Sequence, residues 1–564
     1  VTVIPFAEWR PDMPALSEWA REALNVVPAE ESYRPLNALS GVSSALFARA
    51  QGAAWFRGTA GATKMFAGDA SKLYLLNGTT WTDVTRREAA KTISAISVNS
   101  PTAAMQVTAH GYSPGDQIYV SGVVGMTQIN GAIVTVSSLN SADNFNFTPG
   151  TAGFSAYVSG GTAQRLTPYA PGGDNLWRFT QFGTLAIAVN GVDAPQKFDL
   201  AAGTSWTALA GSPPVGTFIT TVRDFVVMGK IGSAPQRVQW CALDNAESWA
   251  PSLTTQADLQ EMPDGGNVTG LVGGEIGLIF QETSIRRMSY EGAPIVFRID
   301  KIANDIGASV PGSVAGLLDM AFFLHKSGFY MVRGGQTITP IGRGKVDRTF
   351  WTEFDEINQF RATSAIDPVR GLYIFSYPAN DAVNGTPNRL LIYNWHTGRW
   401  SRAILTCELV FGGVSQQAYT LEQLDPFGTL ETLPYSLDSS YWTGTLSLLL
   451  FAFDTTHRSG SFSGPTLAAT VETGEFNPGQ GNRSIVRACR PLIDGGNPQI
   501  QIGARETQQS GVSYAPETGL TTAGLAPVYS SGRYFRVRAT QPAGAVWSNM
   551  QGIDDLDVRP AGVQ

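Results

Sequence analysis

Between about residue 55 and residue 475 the chain alternates short apolar runs with Gly, Asn and Asp turns, and a four-segment pattern recurs. One strongly apolar run marks each recurrence: Lys64-Met-Phe-Ala67, Leu185-Ala-Ile-Ala-Val189, Phe225-Val-Val-Met228, Gly277-Leu-Ile-Phe280, Ala321-Phe-Phe-Leu324 and Leu372-Tyr-Ile-Phe375. A polar or Gly-containing turn and a second strand follow each run. Aligning Ile187, Val227, Ile279, Phe323 and Ile374 gives steps of 40, 52, 44 and 51 residues. The mean, about 47, falls in the roughly 40 to 50 residues of a four-stranded propeller blade. The pattern predicts an all-β chain built on a β-propeller of seven blades, with six as the alternative because the last unit, Leu409 to Glu475, is distorted by a loop from Thr420 to Ser440.

The step from Phe66 to Ile187 is too long by more than one period, so an insertion lies between them. Composition locates it independently: Thr92 to Gln164 holds no Lys or Arg, and its only acids are Asp116 and Asp143. The predicted division is an N-terminal segment 1–54, a propeller 55–91 and 165–475, an inserted small β-barrel 92–164, and a C-terminal β-sandwich 476–564. Four units end on a turn followed by tryptophan, at Trp81, Trp206, Trp249 and Trp400, a residue able to close a blade edge if its N–H finds an acceptor. Ser17 to Leu24 reads as a short capped helix.

Composition supports the β reading. The 564 residues include 61 Gly and 32 Pro, which leaves little room for long helices. Charged residues make up only 15% and the formal charge is −7, so a coat of basic residues neutralising nucleic-acid phosphates is excluded as the main surface. The basic residues are 8 Lys and 31 Arg, a bias towards the planar side chain that suits paired interfaces. Cys241, Cys407 and Cys489 fit no disulfide framework or zinc spacing and read as buried thiols of a reducing compartment. No apolar stretch is long enough to span a bilayer, so no integral membrane segment is expected.

Candidate chemistry is sparse. The four histidines, His110, His325, His396 and His457, have no metal-ligand spacing, and no phosphate-binding glycine loop occurs. Gly111-Tyr-Ser-Pro-Gly115 matches a nucleophile-elbow pattern. However, a strand rather than a helix follows, and Pro114 removes the amide that an oxyanion hole needs, so it reads as a turn. Asp264, Glu282 and Asp367 are the acids a glycosidase reading requires, but they sit at turns where solvated charge is the default. No catalytic residue, metal or cofactor is expected. Arg533, Arg536 and Arg538 form the densest basic feature and are the candidate partner interface; the plainer alternative pairs them with Asp554, Asp555 and Asp557.

Three stretches resemble a known family. Pro5 to Leu39 with Ala23-Leu-Asn-Val-Val-Pro28 and Ser32-Tyr-Arg-Pro35, then Trp177 to Asn190, then Leu446 to Glu475 with Phe453-Asp-Thr-Thr-His-Arg458, look like the tail nozzle proteins of short-tailed bacteriophages, also called tail tubular protein B or packaged-DNA stabilisation proteins. The insert, with His110-Gly-Tyr-Ser-Pro-Gly-Asp116, is similar to a small β-barrel of phage tail proteins named after a half-domain of ubiquitin-activating enzymes; it holds no cysteine, so ubiquitin chemistry is not implied.

The resemblance implies a structural virion protein, not an enzyme. It would form a homo-hexameric ring below the portal and a head–tail adaptor protein, and would meet tail fibres or spikes. Its place is the virion tail, assembled in the host cytoplasm, where double-stranded DNA passes through transiently. A mildly acidic lumen suits passage of a polyanion, so retention must be steric. The charge-poor insert is the candidate nozzle tip, with Asn130, Gly131, Asn140 and Asn144 as its channel-gate turns, and the N- and C-terminal segments jointly supply the ring interface. The alternative function is a carbohydrate-binding or depolymerising propeller on a virion or cell surface.

Overall fold

The computed structural model describes residues 3–58, 63–317, 319–414, 429, 431 and 448–561. The Thr420–Ser440 loop lies almost wholly outside them. The chain is all-β: among the described residues the single α-helix is Asp347–Glu353. Antiparallel four-stranded sheets cover 52–83, 178–208, 216–261, 268–304 and 315–340. A sixth such set, 363–404, forms one end of a nine-stranded sheet. In the seventh, Leu409–Val414, Leu448–Phe453 and Arg458–Ser461 are completed by Ser40–Ala45 from the other end of the chain.

The apolar runs that marked the repeat are the second strand of their sheets, and Phe66, Ile187, Val227, Ile279, Phe323 and Ile374 are all buried. Burying such side chains contributes about 1.5–3 kcal/mol each. The first strands form a cycle. Gly52–Arg57 touches Arg178–Phe182, and contacts continue through Gly216–Val222, Val268–Val272, Ala315–Leu317, Thr363–Asp367 and Leu409–Val414, which returns to Gly52–Arg57.

The tryptophans after the turns are buried as expected. Trp81 Nε1 donates to Ser43 Oγ at 3.0 Å, Trp249 Nε1 to the Ala246 carbonyl at 2.7 Å and Trp400 Nε1 to the Ile341 carbonyl at 2.9 Å, whereas Trp206 Nε1 finds no acceptor. The Trp81 bond is part of the seam where the ring closes. Ser44 N donates to the Thr79 carbonyl, Ala50 N donates to Glu408 Oε2 at 2.9 Å, and Glu408 Oε1 meets His457 Nδ1 at 2.7 Å. Glu408 is buried, which raises its carboxyl pKa above the usual range.

The insertion is a closed six-stranded barrel spanning Lys91 to Arg165, within a residue of the composition boundary at each end. Ile93, Val107, Ile118, Val120, Val134, Val136, Phe145 and Phe147 fill it. Its root is stapled to the first sheet's exit: Glu88 N bonds the Arg165 carbonyl, Arg165 pairs with Glu88 at 2.6 Å, and the Arg87 guanidinium lies 3.5 Å from the Tyr119 ring centre.

Two expectations are corrected. Ser17 to Leu24 is not helical: Glu22–Leu24 is a strand, bridging Arg399–Ile404 in parallel and Ala469–Glu472 antiparallel. A segment this short has little helical stability of its own, and sheet pairing overrides it. The C-terminal strands do not stand alone as a sandwich. Ser484–Gly495 and Trp547–Pro560 share a sheet with Ile4–Pro5, Val26–Ala29 and Ser32–Pro35, while Gln499–Arg505 and Tyr534–Gln541 extend the sixth set. Phe6, Trp9 and Tyr33 therefore share one core with Phe535, Val537, Met550, Phe329 and Trp400. The one helix is capped from this terminal region, because Asp12 accepts from Arg348 N and Thr349 N, both at 2.8 Å.

A Cβ on Gly460 would meet the Ser40 carbonyl at 2.2 Å, so closure demands glycine there. Gly460→Val is expected to cost about 1–3 kcal/mol and to expose the N-terminal segment to limited proteolysis; unchanged melting and protection would contradict the seam. Burial, with Asp12 nearby, raises Asp347 from 3.8 to about 6. The folded state thus favours the neutral acid, and this group's contribution is fully present below about pH 4 and lost as pH rises through about 6. Asp347→Asn, which keeps an acceptor for Phe329 N, should match the parent's melting temperature near pH 4 and exceed it at pH 7.5.

Candidate functional site

Two regions gather the residues singled out above, the barrel surface and the strand Tyr534–Gln541. On the barrel, Asn130 and Gly131 do form a turn, after the short 3-10 helix Thr127–Ile129, and Gly131 takes a φ of 85° that favours glycine. Asn130 is exposed but its amide is engaged: its Oδ1 accepts from Val123 N at 2.8 Å and its Nδ2 donates to the Val123 carbonyl at 2.9 Å. This amide clamps the hairpin. Asn140 and Asn144 are not turn residues. Asn140 lies in strand Ile133–Ser141 and Asn144 opens strand Asn144–Thr148, leaving Ala142 and Asp143 as the turn. The reason is a tight two-residue connection that lets both asparagines join the ladder.

Their side chains build an exposed amide network. Asn140 Nδ2 donates to Asn144 Oδ1 and Asn146 Oδ1, both at 2.9 Å, and Asn146 Nδ2 donates to Ser138 Oγ and Asn140 Oδ1, both at 3.0 Å. The barrel's two carboxylates are spent on its own loops. Asp143 Oδ1 accepts from Ala109 N at 2.6 Å, and Asp116 Oδ2 accepts from Ser113 N at 2.8 Å while pairing with Arg165. His110 is buried, its Nδ1 accepting from Tyr112 N and its Nε2 facing the Ser141 carbonyl at 3.0 Å. That geometry assigns the proton to Nε2. The barrel therefore presents a polar, almost uncharged surface.

Arg536 and Arg538 share a strand face, as their spacing predicts, but that face is half-buried and meets internal acids. Arg538 Nε donates to Glu472 Oε2 at 2.8 Å, and Arg536 bridges Glu472 and Glu475 at 3.4 Å each. Arg505 reaches Glu475 at 2.5 Å, Tyr514 donates to Glu472 Oε1 at 2.8 Å, and the Arg538 guanidinium stacks 4.0 Å from the Tyr514 ring centre. Burial and the Glu472 charge raise the Tyr514 hydroxyl to about 12. Glu472 and Glu475 are buried, so the partners of these arginines are internal acids rather than Asp554, Asp555 or Asp557. Arg533 is more exposed and lies 3.9 Å from Glu506. Sequence reasoning missed Glu472 and Glu475 because they are over sixty residues from the arginines; the signal available was two acids beside an apolar strand, Ala469–Glu472.

The acids considered for glycosidase work are also committed. Lys301 and Arg286 hold the Asp264 carboxyl below its usual range, Glu282 accepts from Asn267 Nδ2 at 2.9 Å, and buried Asp367 accepts from Val369 N and Arg370 N. Among the described residues no group of three or more His, Cys, Asp or Glu is placed to hold a metal ion. The three cysteines are free and buried, and burial raises Cys241 and Cys407 to about 11 and Cys489 to about 12. No helix is long and apolar enough to cross a membrane, among the described residues.

No family model and no curated protein sequence matches the chain. Among solved structures, similarity is found to the phage phi92 endosialidase at 12% identity and TM-score 0.20, over 57% of this chain and 64% of that one. A chain of the mitotic checkpoint complex is similar at 8% and 0.22, over 80% and 97%, and BamB from Moraxella catarrhalis at 11% and 0.20, over 55% and 93%. The matched region thus spans under two thirds of the endosialidase. Scores this low carry no argument about what the chain does.

Removing Glu472 takes the acid from Arg538 and Tyr514 and leaves Arg536 with Glu475 alone. Glu472→Ala should lower stability by about 3–5 kcal/mol in denaturant unfolding; a change below about 1 kcal/mol would show that the cluster is solvated and free for a partner.

Proposed function

We propose that the chain is a tail nozzle subunit of a short-tailed bacteriophage, a seven-bladed propeller whose copies form a ring around a DNA conduit. The observation that carries the reading is the barrel. It is a closed, independently packed unit, stapled at its root to the first sheet, and its surface carries an amide network and isolated apolar side chains, with both acids tied into loops. A wall of this kind neither grips nor repels a passing polyanion strongly, because counterion release needs Lys or Arg and none lies between Thr92 and Gln164. The cycle of seven first strands supports the blade count. The sequence resemblance of the terminal segments and the Trp177–Asn190 blade supports the family.

In this reading six copies join below a head–tail adaptor protein through the platform built jointly by the N- and C-terminal strands. Fibres or spikes attach around the ring in the virion tail, after assembly in the host cytoplasm. The barrels line the exit, and Asn130 and Gly131 fix the hairpin that narrows it. Double-stranded DNA is retained sterically and passes when the barrels move apart. Arg533, Arg536 and Arg538 mark the strand region at which a partner docks in this reading.

Lys91 pairs with Ala163 at the barrel's root, so 92–164 can be replaced by a short Gly-Ser linker without stretching the chain. Particles carrying this deletion should contain a folded nozzle protein and lose their genome to nuclease on storage. Particles that stay sealed would contradict the assignment of the barrel as the tip, and new reducing ends from host glycans treated with the purified protein would favour a depolymerase instead.

A further inference from the structure

At the centre of the ring, first strands and their approaches line a half-open cavity of about 230 Å³. Its wall is Gly, Ala and apolar side chains with few exceptions: Gln51, Thr363, Ser364 and one charged group, Arg178. No carboxylate lines it. The Arg178 guanidinium makes no hydrogen bond or ion pair with any described residue; its one recorded contact is the Phe218 ring, 4.9 Å away. Burial with no opposing charge pulls its pKa down to about 10, still far enough above neutrality to keep it cationic. The ring therefore holds an unpaired, half-buried positive charge on an axial cavity that no carboxylate lines, a position that favours a bound counter-charge.

We infer that this axial cavity is a binding site for a small inorganic oxyanion, phosphate or sulfate, held by the Arg178 guanidinium. The planar fork matches two oxygens of such an ion. Thr363 and Ser364, on the sixth first strand across the ring, are the hydroxyl donors that line the same cavity. Thr363 Oγ1 already accepts from Val410 N at 3.1 Å, which leaves its hydrogen available to donate. The volume admits one such ion with a few waters and excludes a nucleic-acid strand, so the site is distinct from the conduit proposed above and does not depend on it. Because strands of six sheets and the approach to the remaining one line the cavity, an ion there links them to one charge at the axis and stabilises the closed ring by mass action.

The test is equilibrium dialysis of the purified chain against radiolabelled phosphate and sulfate at constant ionic strength, alongside thermal unfolding in the same buffers. The parent should bind about one ion per chain and melt higher as either ion saturates it, with chloride at equal ionic strength giving no such rise. Arg178→Met should bind at least tenfold more weakly and, freed of an unpaired buried charge, should melt at or above the parent in anion-free buffer. Absence of saturable binding by the parent overturns the proposal, as does unchanged binding by Arg178→Met. If that variant does not fold, Arg178→Lys serves: it keeps the charge but loses the fork, so its affinity should fall, and parental affinity would count against bidentate capture.

Discussion

The structure depends on the pairing of Ser40–Ala45 with Arg458–Ser461, which lets the two ends of the repeat region complete one sheet. Without it the last set is left with three strands and an open outer edge. Closing it brings together residues more than 400 positions apart, such as Ser43 and Ser459, so its entropic cost falls late and at a single place. The seam is correspondingly reinforced by Trp81 on Ser43, Ala50 on Glu408 and Glu408 on His457. Closure also continues into the terminal platform, because the chain just before Ser40 and just after Ser461 runs on into strands of the shared core.

That constraint explains where charge is found. A ring closed on itself has an apolar interior between sheets, and in the terminal platform the buried acids Glu472 and Glu475 are paired with Arg505, Arg536 and Arg538. Arginine's excess over lysine follows, since a planar fork can serve two acids at once, as Arg536 does. Outside the ring, the barrel carries almost no charge. A barrel with no Lys or Arg between Thr92 and Gln164 is poorly suited to clamp a polyanion.

Much of this was legible in the sequence because a strand buried between neighbouring sheets must be apolar throughout. The second strands were therefore visible as runs, and their spacing carried the repeat. The barrel was visible as a gap in that spacing and as an absence of Lys and Arg. What pairs over long distances was not legible. Nothing in Ser40–Ala45 announces that it completes a sheet with residue 460, nor in Glu22–Leu24 that a sheet edge will claim it from a helix. The candidate sites divide in the same way. Arg536 and Arg538 were correctly put on one face, but which way that face looks depends on Glu472. Asn130 was correctly put in a turn, while its clamp on Val123 depends on the hairpin's final twist. Arg178 gave no local signal, because its surroundings come from strands of six sheets and the approach to the remaining one.

The central claim is that this chain builds a ring around a conduit. Electron microscopy of the purified protein, alone and with the adaptor ring of its own tail, tests it most directly. The account predicts class averages with six-fold symmetry, an open or plugged axial hole, and barrels gathered at one end of it. Particles that remain single propellers under both conditions, or that assemble with no axial hole, would contradict it.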